Sequence, residues 1–374
     1  MPNEHSAQSE GSSAFPGTGP DAGASRALTG TGTLSGTGTL SGTGEPATLE
    51  LRDAKKRYPG RREDAIAGLS LSVGAGEVCV LVGPSGCGKT TAMRLINRMI
   101  PLTSGDILLG GRTVLDREPN ELRREIGYVI QQIGLFPHLT VADNIATVPR
   151  LLGWEKERTK QRVQELLVLI GFDPDDIGKR YPAQLSGGQR QRVGVARALA
   201  ADPPLMLMDE PFGAIDPINR ARLQDEFLAL QERVRKTVVF VTHDIDEAIK
   251  MGDKIAILRE GGHLAQYDTP AEILMNPADE FVASFVGADR ALKRLGLATL
   301  EEVELAPVNG QSADTIPRTA TVRDALSEVL AGGGKPITVV DSAGAPAGVV
   351  TLELLGGLLA NWALADGEHR EPQP

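Results

Sequence analysis

One stretch of nine residues constrains this chain more than any other. Residues 83–91 read Gly-Pro-Ser-Gly-Cys-Gly-Lys-Thr-Thr and directly follow the apolar run at 78–82. A buried strand that runs into G-x-x-x-x-G-K-T and then a helix is the setting of a phosphate-binding P-loop. The glycines let successive backbone N–H groups turn toward an anion, and the helix start adds the positive end of its dipole. The sequence therefore predicts an α/β fold with a nucleotide phosphate site.

The residue types in this loop indicate separate roles. Lys89 is expected to neutralise the β- and γ-phosphates of ATP, and the Thr90 hydroxyl is expected to bind Mg²⁺. Cys87 is either a reactive thiol near Lys89 or a small residue that fits the turn. The predicted ATP-binding residues of the loop are Gly83, Pro84, Ser85, Gly86, Cys87, Gly88, Lys89, Thr90 and Thr91.

A second motif supplies two carboxylates. The apolar run 205–208 predicts a strand in the middle of a sheet, and Asp209 and Glu210 follow it directly. Asp209 is expected to hold Mg²⁺, in part through water, because Mg²⁺ keeps much of its hydration shell. Glu210 is then free to act as a general base on the attacking water. The alternative is that the two acids only mark a helix start before Pro211.

A third motif is a second candidate anion cradle. Ser186 and two glycines stand at the start of a helix predicted to run to Ala200, where a hydroxyl and backbone amides are free to donate. The chain thus has two candidate anion cradles, of which only one is a P-loop, together with the acidic strand end. With this combination the sequence resembles the nucleotide-binding subunit of an ABC transporter. The resemblance implies an ABC-type P-loop NTPase domain with a RecA-like core, an antiparallel β subdomain and a helical signature subdomain.

The resemblance also implies how the site is assembled. In this family two subunits face head to tail, and each ATP lies between one P-loop and the signature segment of the partner. The residues that would act in trans on the partner's ATP are Ser186, Gly187, Gly188, Gln189 and Asp216. The sequence accordingly predicts a homodimer with ATP and Mg²⁺ as cofactors.

Three further residues match family positions. Tyr58 matches the aromatic residue that stacks on adenine, and His243 matches the switch histidine at the γ-phosphate. Gln131 matches the glutamine that senses Mg²⁺ and the permease, with Gln132 as the neighbouring alternative. Glu210, His243 and Gln131 are thus the predicted catalytic residues. Taken one at a time, Tyr58 is equally consistent with a surface residue and His243 with a helix start.

Several features indicate an importer. The segment 135–141, Leu-Phe-Pro-His-Leu-Thr-Val, resembles the importer segment that meets a permease, although it is also consistent with a packing loop. Segments 126–153 and 285–295 are similar to subunits that import glycine betaine, choline, carnitine or proline betaine. This resemblance implies integral-membrane permease subunits, a separate substrate-binding protein and a peripheral position on the cytoplasmic face of the membrane. The alternatives are an importer for another small solute, such as an amino acid, and a regulatory ATPase without a permease.

Composition sets the remaining limits. The net charge of −10 over 374 residues argues against a nucleic-acid partner. No apolar run approaches the ~18–20 residues of a membrane helix. Residues 1–47 are a low-complexity tail, with Thr-Gly-Thr-Leu-Ser-Gly repeated at 31–42, and we expect this tail to be disordered. The predicted ABC domain covers 48–287.

A small α+β unit is predicted after this domain. We expect a helical linker at 288–314, a compact unit at 315–365 and a polar tail at 366–374. The unit resembles one cystathionine-β-synthase (CBS) repeat, two of which often follow such subunits. Only one repeat fits here, and Leu354 stands where nucleotide-binding repeats carry an aspartate. From Ser312 onward, four Lys/Arg against eight Asp/Glu give −4, which does not support a cationic lipid-binding patch.

Overall fold

Strands and helices alternate along most of the chain, and the computed structural model describes them for residues 44–131, 134–213, 215–308 and 314–368. The strands are β1 (Leu49–Lys56), β2 (Ile66–Val73), β3 (Val78–Val82), β4 (Ser104–Leu109), β5 (Arg112–Thr113), β6 (Ile126–Val129), β7 (Leu205–Asp209), β8 (Thr237–Val241), β9 (Lys254–Arg259), β10 (His263–Asp268), β11 (Thr315–Pro317), β12 (Ile337–Val340) and β13 (Pro346–Val350). The helices are α1 (Lys89–Ile96), α2 (Pro119–Glu125), α3 (Val141–Ile145), α4 (Thr147–Leu151), α5 (Lys156–Leu169), α6 (Pro174–Ile177), α7 (Gly187–Leu199), α8 (Pro217–Val234), α9 (Ile245–Met251), α10 (Pro270–Met275), α11 (Glu280–Val286), α12 (Arg290–Arg294), α13 (Val322–Ala331) and α14 (Leu352–Glu368).

The central sheet has the order β10-β9-β3-β8-β7-β6. Its strands β9, β3, β8, β7 and β6 are parallel, and β10 pairs antiparallel with β9. Every residue of β3, β7 and β8 is buried, which explains their uninterrupted apolar sequences. Because the carboxyl ends of parallel strands meet at one edge, this sheet brings the residues after β3, β7 and β8 together.

Each face of the central sheet packs a different core. Val80 and Met208 belong to the core that also contains residues of α5, α7 and α8. Cys79 and Leu207, one position away, point to the opposite core with α1 and the antiparallel sheet β2-β1-β4-β5. This alternation is the period of two expected for strands. Between β6 and β7 the chain forms the helices α3 to α7.

The N-terminal boundary lies earlier than predicted. The Gly44 N–H donates to Asp202 Oδ2 at 2.9 Å, and the Ala47 N–H donates to the Pro204 carbonyl at 3.1 Å. The Thr237 hydroxyl donates to the Ala47 carbonyl at 2.7 Å. Residues 44–47, which we assigned to the disordered tail, are therefore bound to the domain. The rest of the predicted tail, 1–43, lies outside the described residues.

The segment predicted as a helical linker is mostly not helical. Of 288–308 only α12 is a helix, and Gly296 follows it closely. Leu295, Leu300 and Val303 then join the core of the C-terminal unit, and Ala306 forms an antiparallel bridge with Val349. The high charge of the segment favoured a solvated helix, but its spaced apolar residues are buried by that unit. Residues 309–313 of the predicted linker lie outside the described residues.

The C-terminal unit has the predicted α+β arrangement. Strand β12 pairs parallel with β11 and antiparallel with β13. Helix α13 starts with a capping box between Thr321 and Asp324. Helix α14 extends to Glu368, beyond the predicted end of the unit at residue 365, and the remainder of the predicted tail, 369–374, lies outside the described residues. Over the described ranges, no helix combines the length and apolarity that crossing a bilayer requires.

Candidate functional site

The P-loop connects β3 to α1 and depends on two close backbone approaches. A Cβ atom on Gly83, whose φ is +152°, would lie 2.1 Å from the Leu258 carbonyl oxygen. A Cβ atom on Gly88, whose φ is +111°, would lie 2.6 Å from the Ala65 carbonyl oxygen. Gly86 also has a positive φ of +81°, but a Cβ atom there would meet open space. The loop is thus held by its two ends, and its middle faces outward.

Lys89 lies inside this loop. Its side chain is buried, and its ammonium donates to the Gly83 carbonyl at 2.6 Å and to the Pro84 carbonyl at 3.0 Å. The Cys87 sulfur lies 3.8 Å from the same nitrogen. The two carbonyls fix the cation where the loop turns, next to the first turn of α1. A polyanion bound at this helix start would therefore meet a positive charge already in place.

Thr90 and Asp209 meet at the end of β7. The Thr90 hydroxyl and Asp209 Oδ1 are 3.3 Å apart, although the residues are separated by 119 positions in the sequence. Burial raises the pKa of the Asp209 carboxyl, while the Thr90 hydrogen bond opposes that rise. A hydroxyl and a carboxylate are oxygen ligands of the type that Mg²⁺ prefers, with waters and phosphate oxygens completing its shell. The described residues contain no cluster of three acidic, histidine or cysteine side chains that could hold a metal by itself. The pair thus fits a Mg²⁺ ion that is bound together with a nucleotide.

Glu210 is held by two of the predicted residues. Gln131 Nε2 donates to Glu210 Oε2 at 2.8 Å, and His243 Nδ1 lies 3.3 Å from Glu210 Oε1. The backbone at Glu210 has a φ of +43°, and its N–H donates to the Val241 carbonyl at 2.9 Å. A non-glycine residue in this region costs about 1–3 kcal/mol, so the surrounding strands impose the conformation. The effect is to direct the carboxylate away from the strand axis, toward Gln131 and His243.

Gln131 itself follows β6 rather than ending it, because the strand stops at Val129. The alternative residue, Gln132, lies outside the described residues.

The signature segment forms a separate helix start. The Ser186 hydroxyl accepts the Gln189 N–H at 3.2 Å, and the Gln189 side chain accepts the Ser186 N–H at 2.9 Å. This capping box pre-forms the first turn of α7. A Cβ atom on Gly188 would lie 3.3 Å from the Leu223 side chain, so this residue packs closely on α8. Among the described residues, no hydrogen bond joins 186–189 to the P-loop of the same chain.

Asp216 caps α8. Its carboxylate accepts the Asn219 N–H at 3.1 Å and the Asn219 side-chain amide at 2.8 Å. The side-chain hydrogen bond from Asn219 lowers the pKa of Asp216. Asp216 is therefore an anionic helix cap in this chain. Its contact with the ATP of a partner subunit stays a prediction.

Tyr58 stands just after β1, where its backbone carbonyl accepts the Arg61 N–H. The Lys56 ammonium lies 5.3 Å from the centre of the Tyr58 ring. The loop 57–63 is mostly exposed, and Tyr58 itself is half-buried.

Sequence reasoning missed two residues beside the site. Asn144 on α3 and Arg197 on α7 both hydrogen-bond the backbone of the segment after Gln131. Asn144 looks like an ordinary polar residue near a helix start, and Arg197 looks like a surface cation. The partners of Asn144 lie 4 to 8 residues before it in a segment without helix or strand, and the partner of Arg197 lies 63 positions away, so neither pair follows a helix or strand period.

Comparisons with known proteins show the family. Residues 66–213 match the ABC transporter family. The chain is 50% identical over 305 residues to the osmoprotectant import ATP-binding protein OsmV of Salmonella typhimurium, which covers 81% of this chain and 78% of that protein. It is 42% identical over 303 residues to the glycine betaine uptake system ATP-binding protein YehX of Escherichia coli, which covers 81% of this chain and 97% of that protein. Among solved structures, the dimeric post-hydrolysis state of the ATP-binding cassette MJ0796 bound to ADP and Pi is 33% identical, has a TM-score of 0.52, and covers 59% of this chain and 98% of that one.

Proposed function

The chain belongs to the ATP-binding subunits of ABC transporters, and from this membership we propose that it hydrolyses ATP to drive import of a quaternary-amine osmoprotectant. The observation that supports the solute class is the identity of 42–50% to osmoprotectant, choline and glycine betaine subunits over most of the chain. Glycine betaine, choline, carnitine and proline betaine are the proposed candidates.

ATP binding is proposed at the P-loop. The backbone N–H groups of 83–90 and the Lys89 ammonium would hold the β- and γ-phosphates. Thr90 and Asp209 would hold Mg²⁺, with Gln131 as a further oxygen ligand. The ion supplies charge neutralisation on the phosphate oxygens when it is bound. Tyr58 is the proposed adenine contact, supported by its position on an accessible loop after β1.

Glu210 is the proposed general base. Its two oxygens are oriented by Gln131 on one side and His243 on the other, so it can accept a proton from a water in line with the γ-phosphate. His243 is half-exposed, which leaves its imidazole able to contact the phosphate of a bound nucleotide. Because all three groups converge before ligand binds, little reorganisation is needed at the reacting centre.

A dimer is proposed to complete the site. The Ser186 hydroxyl accepts one hydrogen bond within its own helix cap and retains its O–H as a donor. The amides of Gly187 and Gly188 are free first-turn donors. These groups, together with Gln189 and Asp216, would face the ATP of the partner subunit. The head-to-tail arrangement explains why one chain carries two anion-binding helix starts.

The proposed assembly also includes proteins other than this chain. Permease subunits would meet the exposed segment after Gln131, and a separate binding protein would select the solute. The subunit would be peripheral, at the cytoplasmic face of the membrane.

The C-terminal unit is proposed as a single CBS-like packing module. The Thr351 hydroxyl accepts the Leu354 N–H at 3.1 Å, so residue 354 takes part in the helix start but offers no carboxylate to a ribose. We therefore expect one bound nucleotide per chain in equilibrium dialysis of the intact protein, and two per chain would contradict this assignment.

Solute uptake tests the proposed function. Cells lacking this gene are complemented with the wild type, Glu210→Gln or Glu232→Gln, and uptake of labelled glycine betaine and choline is measured with and without added NaCl. Glu232 is an exposed glutamate on α8 and serves as the matched control. We expect uptake with the wild type and the control. Uptake with Glu210→Gln should fall about 10²–10⁴-fold, because removal of a general base slows the hydrolysis that drives uptake by about this factor.

Two results would contradict the proposal at different points. If cells that carry the wild-type gene take up neither amine, the proposed solute class is wrong, and another small solute must be tested. If cells that carry Glu210→Gln take up the amine at the wild-type rate, the assignment of Glu210 as the general base is wrong.

A further inference from the structure

The segment 134–140 follows Gln131 and presents exposed side chains. Phe136 is 42% exposed, and its ring centre lies 6.0 Å from that of His138. The segment contains no helix or strand, so its backbone polar groups require partners from elsewhere in the protein. Those partners come mainly from two side chains, which lie on different helices.

Asn144 is the first of these partners. It is completely buried on α3, and its side-chain amide serves both as donor and as acceptor. Its Oδ1 accepts the Phe136 N–H at 2.7 Å, and its Nδ2 lies 3.1 Å, 3.2 Å and 2.9 Å from the carbonyl oxygens of Phe136, Leu139 and Thr140. One buried side chain thus binds both ends of the turn at 136–140. A buried polar group that loses such partners is left unsatisfied at a cost in free energy, so these hydrogen bonds hold the turn in place.

Arg197 is the second partner. Its Nη1 donates to the Gly134 carbonyl at 2.7 Å, and its guanidinium lies 5.9 Å from the centre of the Phe136 ring. Arg197 lies on α7, whose first turn is the signature segment capped by Ser186. Helices α3 and α7 also pack against each other. The segment 134–140 is therefore attached directly to α7 through Arg197, and through Asn144 to α3, which packs on α7.

We infer that Asn144 and Arg197 are positioning residues that hold the segment 134–140 on two helices packed against each other, Asn144 on α3 and Arg197 on α7, so that a displacement of this segment by the permease moves the signature end of α7. The inference rests on the proposed function for the permease contact and for the role of Ser186 in trans. A segment held by buried hydrogen bonds moves with its helix as one body, whereas a loosely held segment would absorb the displacement by changing its own conformation. Over the described residues, the contacts recorded for Asn144 and Arg197 are with the segment 134–140 rather than with Lys89, Thr90 or Glu210, so we expect the clamp to control communication with the permease and to leave hydrolysis chemistry intact.

Two variants each weaken one half of the clamp. Asn144→Asp keeps an acceptor for the Phe136 N–H but replaces the Nδ2 donor with an oxygen facing three carbonyls. Arg197→Gln shortens the side chain and removes the cation from the Phe136 ring. Arg197 is only half-buried, so this variant tests the inference even if Asn144→Asp does not fold. The matched controls carry the same substitutions at exposed positions: Asn120→Asp on α2 and Arg233→Gln on α8.

The first measurement is hydrogen–deuterium exchange of the isolated subunit. We expect exchange of the amides at 134–140 to rise about tenfold in both clamp variants and to stay unchanged in the controls. Unchanged exchange in Arg197→Gln would overturn the clamp. This result does not depend on any transported solute, so it is separate from a failure of the proposed function.

The second measurement is ATP hydrolysis by the subunit alone and in the assembled transporter with glycine betaine. We expect the basal rate and the KM for ATP to stay within about twofold, while stimulation by solute falls about tenfold. A proportional fall of basal and stimulated rates would show a general structural defect and overturn the inference. If the wild-type transporter is not stimulated by glycine betaine, the proposed solute is wrong, and the exchange measurement still decides the clamp.

Discussion

Replacing Gly83 by alanine tests whether the start of the P-loop depends on a close approach to β9. The new Cβ atom would lie 2.1 Å from the Leu258 carbonyl oxygen, whereas real Cβ contacts are essentially never shorter than 3.0 Å. The loop and β9 would therefore have to separate by at least the difference, 0.9 Å. Leu258 is fully buried, and the neighbouring pair Val82 and Ile257 is in register, so neither side can move freely.

The expected cost has two parts. Forcing an extra carbon into a packed region costs about 1–3 kcal/mol, and a non-glycine residue at this φ costs about 1–3 kcal/mol more. The sum of about 2–6 kcal/mol is a large part of a typical stability of about 5–15 kcal/mol. Gly86→Ala is the matched control, because its Cβ atom meets open space and only the positive φ is penalised, at about 1–2 kcal/mol.

Urea unfolding measures this difference. The chain has two tryptophans, Trp154 and Trp362, so fluorescence of Trp154 in a Trp362→Phe background reports on the ABC domain. We expect Gly83→Ala to lose clearly more stability than Gly86→Ala, by at least about 1 kcal/mol. Equal losses for the two variants would refute the argument from close approach, because both share the backbone penalty.

Three further predictions concern charged groups in and near the site. Lys89→Ala should lower ATP affinity by about tenfold or more in equilibrium dialysis, since the cation inside the loop is removed; wild-type affinity would contradict its role. Asp209→Asn should abolish Mg²⁺-dependent hydrolysis yet raise the free energy of unfolding of the nucleotide-free protein by about 0.5–2 kcal/mol. The reason is that burial disfavours the charged carboxylate and raises its pKa, whereas asparagine carries no charge. A lower melting temperature for the variant would argue against this. Glu247 is buried on α9, accepts a hydrogen bond from Gln224 Nε2 at 2.9 Å, and has a pKa raised by burial. A raised pKa in the folded state means that wild-type stability falls as pH rises from about 4.3 through the folded pKa, so the advantage of Glu247→Gln should grow over that interval; a constant difference in urea midpoints would contradict it.

Much of the fold and the site follows from local sequence. The run at 78–82, the glycines of the loop and Lys89 form one continuous pattern, and each part is explained by its immediate neighbours. The cap of α7 by Ser186 and Gln189 is equally local, because both partners lie within one turn. In these places a short segment contains both the groups that interact and the conformation that joins them.

The long-range pairs follow from the sequence only in part: Thr90 and Asp209 were assigned to one Mg²⁺ site from their motifs, whereas the role of Gln131 came from the resemblance and its contact with Glu210 was not predicted. Thr90 and Asp209 are 119 positions apart, and Gln131 and Glu210 are 79 apart. The apolar runs predicted strands, and parallel strands bring their carboxyl ends to one edge. Which strands are neighbours depends on how the two faces of the sheet pack against the helices, and no short segment of the sequence specifies that order.

The sequence by itself determined the chemistry available to this protein: a phosphate loop, two carboxylates after a buried strand and a second capped helix start. Only the tertiary structure decided the left-handed backbone that turns Glu210 toward Gln131 and His243, the burial of Leu295 and Leu300 in the C-terminal core, and the clamp by Asn144 and Arg197. The physical reason is the same in each case. Local patterns fix the conformations that a segment prefers, whereas burial and hydrogen bonding between distant segments decide which polar groups must find a partner and where that partner lies.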